Sequence, residues 1–272
     1  MGHTKRIIDL FLSMWPLYKV GIWLGKQPGV GWILKPVFSE RIHQVTMIPV
    51  NEVITQEYQT ILPYSLLQQM VQQASARFIM TECMCRSHEG CRNHLVDLGC
   101  LFLGDGAAQI HPSMGRLVST DEALRHLQRG MEDGLYPLIA HTMIDALTLG
   151  IPYPRMVTIC FCCECCCAVH NSLRTGPVSL LHLVQRLPGL KVLIDEKCVV
   201  CGTCFSSCPV KAISLVHNNV EISEECKGCG ICVNDCPFGA IRMEMESEVD
   251  LLRMFSERIK SYADISSVNI IK

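Results

Sequence analysis

The chain has 272 residues, with 24 lysines and arginines against 26 acidic residues and a formal net charge of −2. That balance gives no electrostatic support for binding a phosphate backbone, so nucleic acid is not an expected partner. Eighteen cysteines, many in C-x2-C and C-C runs, suit metal ligation better than secreted disulfides and imply a reducing compartment, the cytoplasm of an anaerobe.

Residues 1–45 carry six basic residues (Lys5, Arg6, Lys19, Lys26, Lys35, Arg41) against Asp9 and Glu40, a local charge of +4. All three tryptophans, Trp15, Trp23 and Trp32, lie here among Ile7, Ile8, Leu10, Phe11, Leu12, Leu17, Val20, Ile22 and Leu24. Asp9, Pro16 and Lys19 interrupt the run, which falls short of the ~20 clean apolar residues of a spanning helix. The uninterrupted apolar stretch and small-residue cleavage site of a signal peptide are missing too. The segment is expected to be an amphipathic, aromatic and basic helical arm. Its candidate seats are the inner membrane surface, peripherally, and the body of the protein or a partner subunit.

Residues 46–170 alternate in pattern. Thr46–Val50, Phe78–Met80, Cys100–Leu103, Leu135–Met143 and Val157–Phe161 read as short strands. Pro63–Arg77 places Leu66, Leu67, Met70, Val71 and Ala74 at helical spacing. Ser119-Thr-Asp-Glu122 is a capping box, opening a helix with Ala123, Leu124, Leu127 and Met131 on one face. The alternation predicts a small α/β domain.

Two cysteine groups punctuate this domain: Cys83-x-Cys85-Arg86 with Cys91 and Cys100, and Cys160-Phe-Cys162-Cys163-Glu-Cys165-Cys166-Cys167. Six cysteines in eight residues exceed what core filling needs, and soft thiolates select iron–sulfur clusters or zinc. The expectation is an additional iron–sulfur cluster with ligands from both groups. Its core is Cys83, Cys85, Cys162, Cys163, Cys165 and Cys166, with Cys91 and Cys100 next; zinc and plain thiols are the alternatives. C-x-C and adjacent cysteines depart from cubane spacing, which leaves a non-cubane cluster open. Arg86 and Arg92 would offset cluster charge or be solvated surface residues, and His88, His94 and His170 are reserve ligands. Gly104-Asp-Gly106 lacks the third glycine of a dinucleotide loop, Gln109 holding its place, so no nucleotide cofactor is expected.

Residues 171–189 read as a helical linker: Ser179–Leu187 has helical apolar spacing, ended by Pro188-Gly189. In residues 190–245 one spacing then occurs twice, 28 residues apart. Cys198-x2-Cys201-x2-Cys204-x3-Cys208-Pro209 is repeated as Cys226-x2-Cys229-x2-Cys232-x3-Cys236-Pro237. Each copy is the ligand run of a 4Fe-4S cubane, and in paired runs the fourth cysteine serves the other cluster. One cluster is therefore assigned to Cys198, Cys201, Cys204 and Cys236, the other to Cys226, Cys229, Cys232 and Cys208. Zinc would need only two C-x2-C pairs and would leave the third cysteine and the proline of each run unexplained.

This segment resembles the two-cluster bacterial ferredoxins. Val210-Lys211-Ala212-Ile213 also matches Phe238-Gly239-Ala240-Ile241 after each proline, and acid-rich lead-ins precede both runs. The resemblance implies a pseudo-twofold fold of short hairpins and helices with low-potential one-electron chemistry. With the C-x-C-R and C-C-x-C-C-C regions, the chain is similar in architecture to ferredoxin-like multi-cysteine proteins of anaerobes. Between Ile194 and Met245 seven acids (Asp195, Glu196, Glu221, Glu224, Glu225, Asp235, Glu244) outnumber four bases (Lys197, Lys211, Lys227, Arg242), a local −3. Residues 246–272 hold an amphipathic helix over Glu248–Ala263, expected to pack on the body.

The fold class expected is α+β: a helical arm, a cysteine-rich α/β domain and a C-terminal dicluster domain. The function expected is an iron–sulfur electron-transfer protein or subunit, with redox proteins as partners. The alternative is an oxidoreductase whose central cluster performs thiol or disulfide reduction, fed by the ferredoxin clusters.

Overall fold

Short runs of β-branched and aliphatic residues, most of them stopped by a glycine, a proline or a capping side chain, build the middle of the molecule. The computed structural model describes residues 2–27, 29, 39–49, 63–177, 179–246 and 251–260. Among these, seven strands form one sheet: β1 (His43–Met47), β2 (Arg77–Met80), β3 (Leu101–Leu103), β4 (Gly115–Leu117), β5 (Tyr136–Thr142), β6 (Val157–Cys162) and β7 (Val184–Gln185). Their order is β4-β2-β3-β6-β5-β1-β7, and every neighbouring pair is antiparallel except β1–β7. Strands and helices alternate along the chain as expected, yet this pairing makes the region α+β rather than α/β. The connections fold back on themselves instead of crossing over, as between β5 and β6, and antiparallel neighbours need no crossover.

The helices are α1 (Lys5–Ser13), α2 (Trp15–Leu24), α3 (Pro63–Gln73), α4 (Met84–Glu89), α5 (Thr120–Glu132), α6 (Met143–Leu149), α7 (Ala168–Thr175) and α8 (Ser179–Leu183). The capping box forms at the start of α5, with Ser119 and Glu122 exchanging hydrogen bonds. α3 and α5 cover one face of the sheet, where Leu66, Leu67, Val71, Ala123 and Leu127 join Leu101, Leu103, Ile159 and Phe161 in one core. The opposite face is covered from the N-terminus: Ile8 of α1 is buried with Phe78, Phe102 and Leu149, and Ile22 of α2 with Leu180 and Leu183. The apolar spacing of 179–187 yields only five helical residues, because Val184 and Gln185 are claimed by pairing with β1.

The C-terminal part pairs β8 (Leu190–Ile194) with β11 (Ile241–Met245) and β9 (Ile213–Val216) with β10 (Asn219–Ile222), both antiparallel. α9 (Thr203–Ser207) and α10 (Ile231–Asn234) start at equivalent glycines, Gly202 and Gly230, both at φ 81°. Leu190, Met243 and Met245 belong to the same core as the large sheet. The amphipathic tail forms α11 (Leu251–Lys260), and its Ile259 is buried in that core. Trp32, Lys35, Val50, Val249 and Tyr262 lie outside the described residues.

Candidate iron–sulfur centres

The two cysteine runs fold into two hollows related by the internal repeat. One is lined by Cys198, Cys201, Cys204 and Cys236 beside Ile194, Val220 and Phe238. The other is lined by Cys208, Cys226, Cys229 and Cys232 beside Val192, Val210 and Ile231. Each hollow thus gathers three sulfurs from its own run and the fourth from the other. The backbone repeats too: Ala212 N–H donates to Cys208 Sγ at 3.2 Å and Ala240 N–H to Cys236 Sγ at 3.3 Å. Amide donors aimed at sulfur stabilise thiolate and tune a cluster.

These donors fit a 4Fe-4S group. Each hollow offers four soft sulfurs in largely apolar walls. Burial pushes the Cys229 thiol up to about 12, and Cys232 and Cys226 are raised for the same reason. Such thiols give up their protons to a metal rather than to neutral water.

The central cysteines form two groups that share Cys163, where one site was expected. Under α1 and α2 lies a cavity of about 500 Å3 whose wall includes Cys83, Cys85, Cys100, Cys160, Cys162, Cys163 and Cys167. The strand period explains this wall. Along β6, Ile159 and Phe161 point to the α3–α5 core, so Cys160 and Cys162 point the other way. Cys100 Sγ lies 3.6 Å from Cys160 Sγ across the β3–β6 pair. Hydrogen bonds couple Cys83 to Cys85 and Cys167 to Cys162, holding Cys83 and Cys167 low and their partners high. Cys160 and Cys167 belong to the six-cysteine run but were not among the expected ligands; a period-two alternation extended along β6 would have found Cys160. Mostly apolar, with Arg86 and Asp145 also in its wall, and rich in sulfur, this cavity also fits an iron–sulfur group.

The second group sits at the surface. Cys91, Cys163, Cys165 and Cys166 hold their four sulfurs within 4.8 Å of one another. Cys91 comes from the loop after α4, the others from the turn after β6. Cys163 is fully buried and Cys165 exposed.

Arg86 is buried at 1% exposure and lies between the two groups. It donates to the carbonyls of Leu95 at 3.0 Å, Phe161 at 2.5 Å and Leu98. Burial alone would lower its pKa, but the thiols of Cys83, Cys163, Cys100 and Cys162 reverse the sign. It therefore acts as a fixed cation behind the sulfurs while its hydrogen bonds tie α4 to the loop before β3 and to β6. Arg92 is exposed. His88 is exposed against Trp15, with ring centroids 5.4 Å apart. His94 is held by Asp133 at 3.3 Å and Glu164 at 3.2 Å. His170 is fully buried, with Nδ1 3.2 Å from the Cys163 carbonyl and no hydrogen-bond partner at Nε2. Gly104 and Gly106 serve the backbone and packing: Gly104 sits at φ 106°, a Cβ at Gly106 would meet the Arg155 carbonyl at 2.7 Å, and Asp105 is ion-paired with Arg155.

The hollows stand in a definite order. Cys229, on the inner hollow, packs against the group containing Cys162, Cys167 and Val184, and also against Tyr136. Tyr136 lies 6.0 Å from the ring of His170. The other hollow faces outward, with Cys201, Val199, Val200 and Phe238 all exposed. Residues 190–250 match the family of the 4Fe-4S dicluster domain, and this part of the chain is a ferredoxin-like dicluster domain suited to two 4Fe-4S clusters. No curated protein matches the chain.

Proposed function

We propose that the chain relays single electrons between a redox protein docked at the outer hollow and the thiol-lined cavity of the central sheet. The observation that carries this reading is the order of sites: exposed hollow, inner hollow, then a cavity wall that includes Cys162 and Cys167 beside Cys229. Bound clusters supply one-electron chemistry. The chain's own residues hold them by thiolate, exclude water with Ile194, Ile231 and Tyr136, and set charge through Arg86 and the amides of Ala212 and Ala240. The ligand sets are those assigned above for the two cubanes, and Cys83, Cys85, Cys100, Cys160, Cys162 and Cys167 for a further cluster. The exposed apolar rim and the acidic surface of this domain suit a partner with a basic, partly apolar face.

The arm supports a second contact. α1 and α2 bury Ile8 and Ile22 but expose Ile7, Leu10, Met14, Leu17, Val20 and Trp23. No single helix among the described residues is long and apolar enough to cross a membrane, and the two helices meet at a 43° bend. Their exposed stripe with its basic neighbours seats the protein peripherally on an anionic membrane. Cosedimentation with anionic vesicles, reduced several-fold in Leu10→Asp/Leu17→Asp, is the expected result; equal binding by the variant removes the membrane contact.

The cavity also favours a second reading, catalysis, because about 500 Å3 is within the usual range of a small-molecule site. Iron and sulfide analysis of anaerobically purified protein, with electron paramagnetic resonance during a redox titration, tests the relay. About twelve irons with a third reducible centre are expected; about eight would confine the clusters to the C-terminal domain. A third centre whose spectrum shifts on adding a small disulfide, with turnover, would favour catalysis over relay.

A further inference from the structure

The surface tetrad differs in kind from the two hollows. Cys91 Sγ lies 3.7 Å from Cys165 Sγ, and Cys165 Sγ 3.5 Å from Cys166 Sγ. Four thiolates around one zinc at about 2.3 Å sit about 3.8 Å apart, the edge of the coordination tetrahedron. A cubane sets its thiolates wider, because each binds a different iron. Among the described residues, this is the one group of four cysteines with all its sulfurs within 4.8 Å, and neither hollow of the dicluster domain meets that measure.

We propose that Cys91, Cys163, Cys165 and Cys166 hold a single metal ion, zinc by its chemistry, in a tetrathiolate site that has no part in electron transfer. The local backbone is built for it. Cys163 and Cys166 form a C-x2-C turn in which the Cys166 N–H donates to Cys163 Sγ at 3.3 Å. His94 bridges the two loops through Asp133 and Glu164, bracing the site from outside. The four thiols bind as thiolates and their protons leave to solvent; no oxidant or reductant is needed.

The ion has a structural task. It ties the loop after α4 to the turn after β6, the same turn that leads to Cys167 at the cavity. The assignment stands apart from the relay, since the iron of the dicluster domain is counted separately.

The test is metal and sulfide analysis of the full chain and of Cys91→Ala/Cys166→Ala, with X-ray absorption at the edge of whichever metal is lost. These two cysteines line neither the cavity nor a hollow, and neither belongs to the competing group His94, Glu164 and Cys165. The expected result is about one zinc per wild-type chain, at least a tenfold loss in the variant, and unchanged iron and sulfide. The wild-type absorption spectrum should show four sulfurs at about 2.3 Å, a measurement independent of how the variant folds. One iron lost without sulfide would keep the single-ion site and change only its occupant. Loss of several irons with matching sulfide, or a spectrum with nitrogen and oxygen neighbours, would overturn the proposal.

Discussion

Val200 and Gly228 occupy the same place in the two cysteine runs, and both sit in the left-handed region, at φ 57° and 64°. For a β-branched residue that conformation costs about 1–2 kcal/mol, while glycine adopts it freely. Val200 is also exposed, so its side chain recovers little by burial. Val200→Gly should raise stability by about 0.5–1 kcal/mol, seen as later thermal loss of cluster absorbance. Gly228→Val should do the opposite, by 2 kcal/mol or more on the scale of core overpacking, because a Cβ there would lie 2.5 Å from Leu190 Cδ2. His126 gives a pH test. Burial outweighs its bond to the Gly99 carbonyl at 2.7 Å and holds the imidazole below its ordinary 6.5. The unfolded chain then takes up the proton first as pH falls. His126 contributes full stability above about pH 6.5 and loses it on acidification, and the slope of the urea midpoint below that pH should flatten in His126→Gln.

At the scale of elements, α5 sets two preferences against each other. Gly130 lies inside the helix, where alanine would gain about 1 kcal/mol by propensity. A Cβ there would lie 2.3 Å from Cδ1 of Phe161, a buried ring on the strand that also carries Cys160 and Cys162. Overpacking costs about 1–3 kcal/mol, so Gly130→Ala should lower the urea midpoint despite the better helix former. The helices α9 and α10 give a cleaner exchange test. Cys208→Ala should remove the cluster of the inner hollow and Cys236→Ala that of the outer one, each variant losing the magnetic coupling between the two cubanes while keeping the other.

Much of this architecture was legible in local pattern. The twofold cysteine spacing marked the hollows, the capping box marked α5, and alternation marked β5 and β6. What local pattern could not carry was pairing. Strand direction depends on which neighbours a segment finds, and Val184-Gln185 became a strand only because β1 was there to receive it. The division of the central cysteines was hidden for the same reason. Cys162 and Cys163 are adjacent in sequence, yet Cys162 packs with the cavity-side group while Cys163 sits in the α3–α5 core and also joins the surface tetrad.

For the whole molecule, the question is what keeps the arm on the cavity. Lys5–Glu82 at 2.9 Å and Lys19–Glu89 at 2.6 Å are solvent-exposed pairs, each contributing at most about 1 kcal/mol. Ile8 and Ile22 are buried, each worth about 1.5–3 kcal/mol by area. Docking therefore rests on the isoleucines. Ile8→Asp should speed amide hydrogen exchange across α1 by an order of magnitude or more, whereas Lys5→Ala/Lys19→Ala should leave it within a few-fold of the wild type. The arm also dictates an order of manufacture. α1 and α2 leave the ribosome ahead of the vessel they close, which is made of residues that emerge 60 to 150 positions later. If that vessel holds the proposed cluster, iron and sulfide have to be delivered while the lid hangs loose, and cells short of assembly machinery would accumulate a chain sealed around nothing.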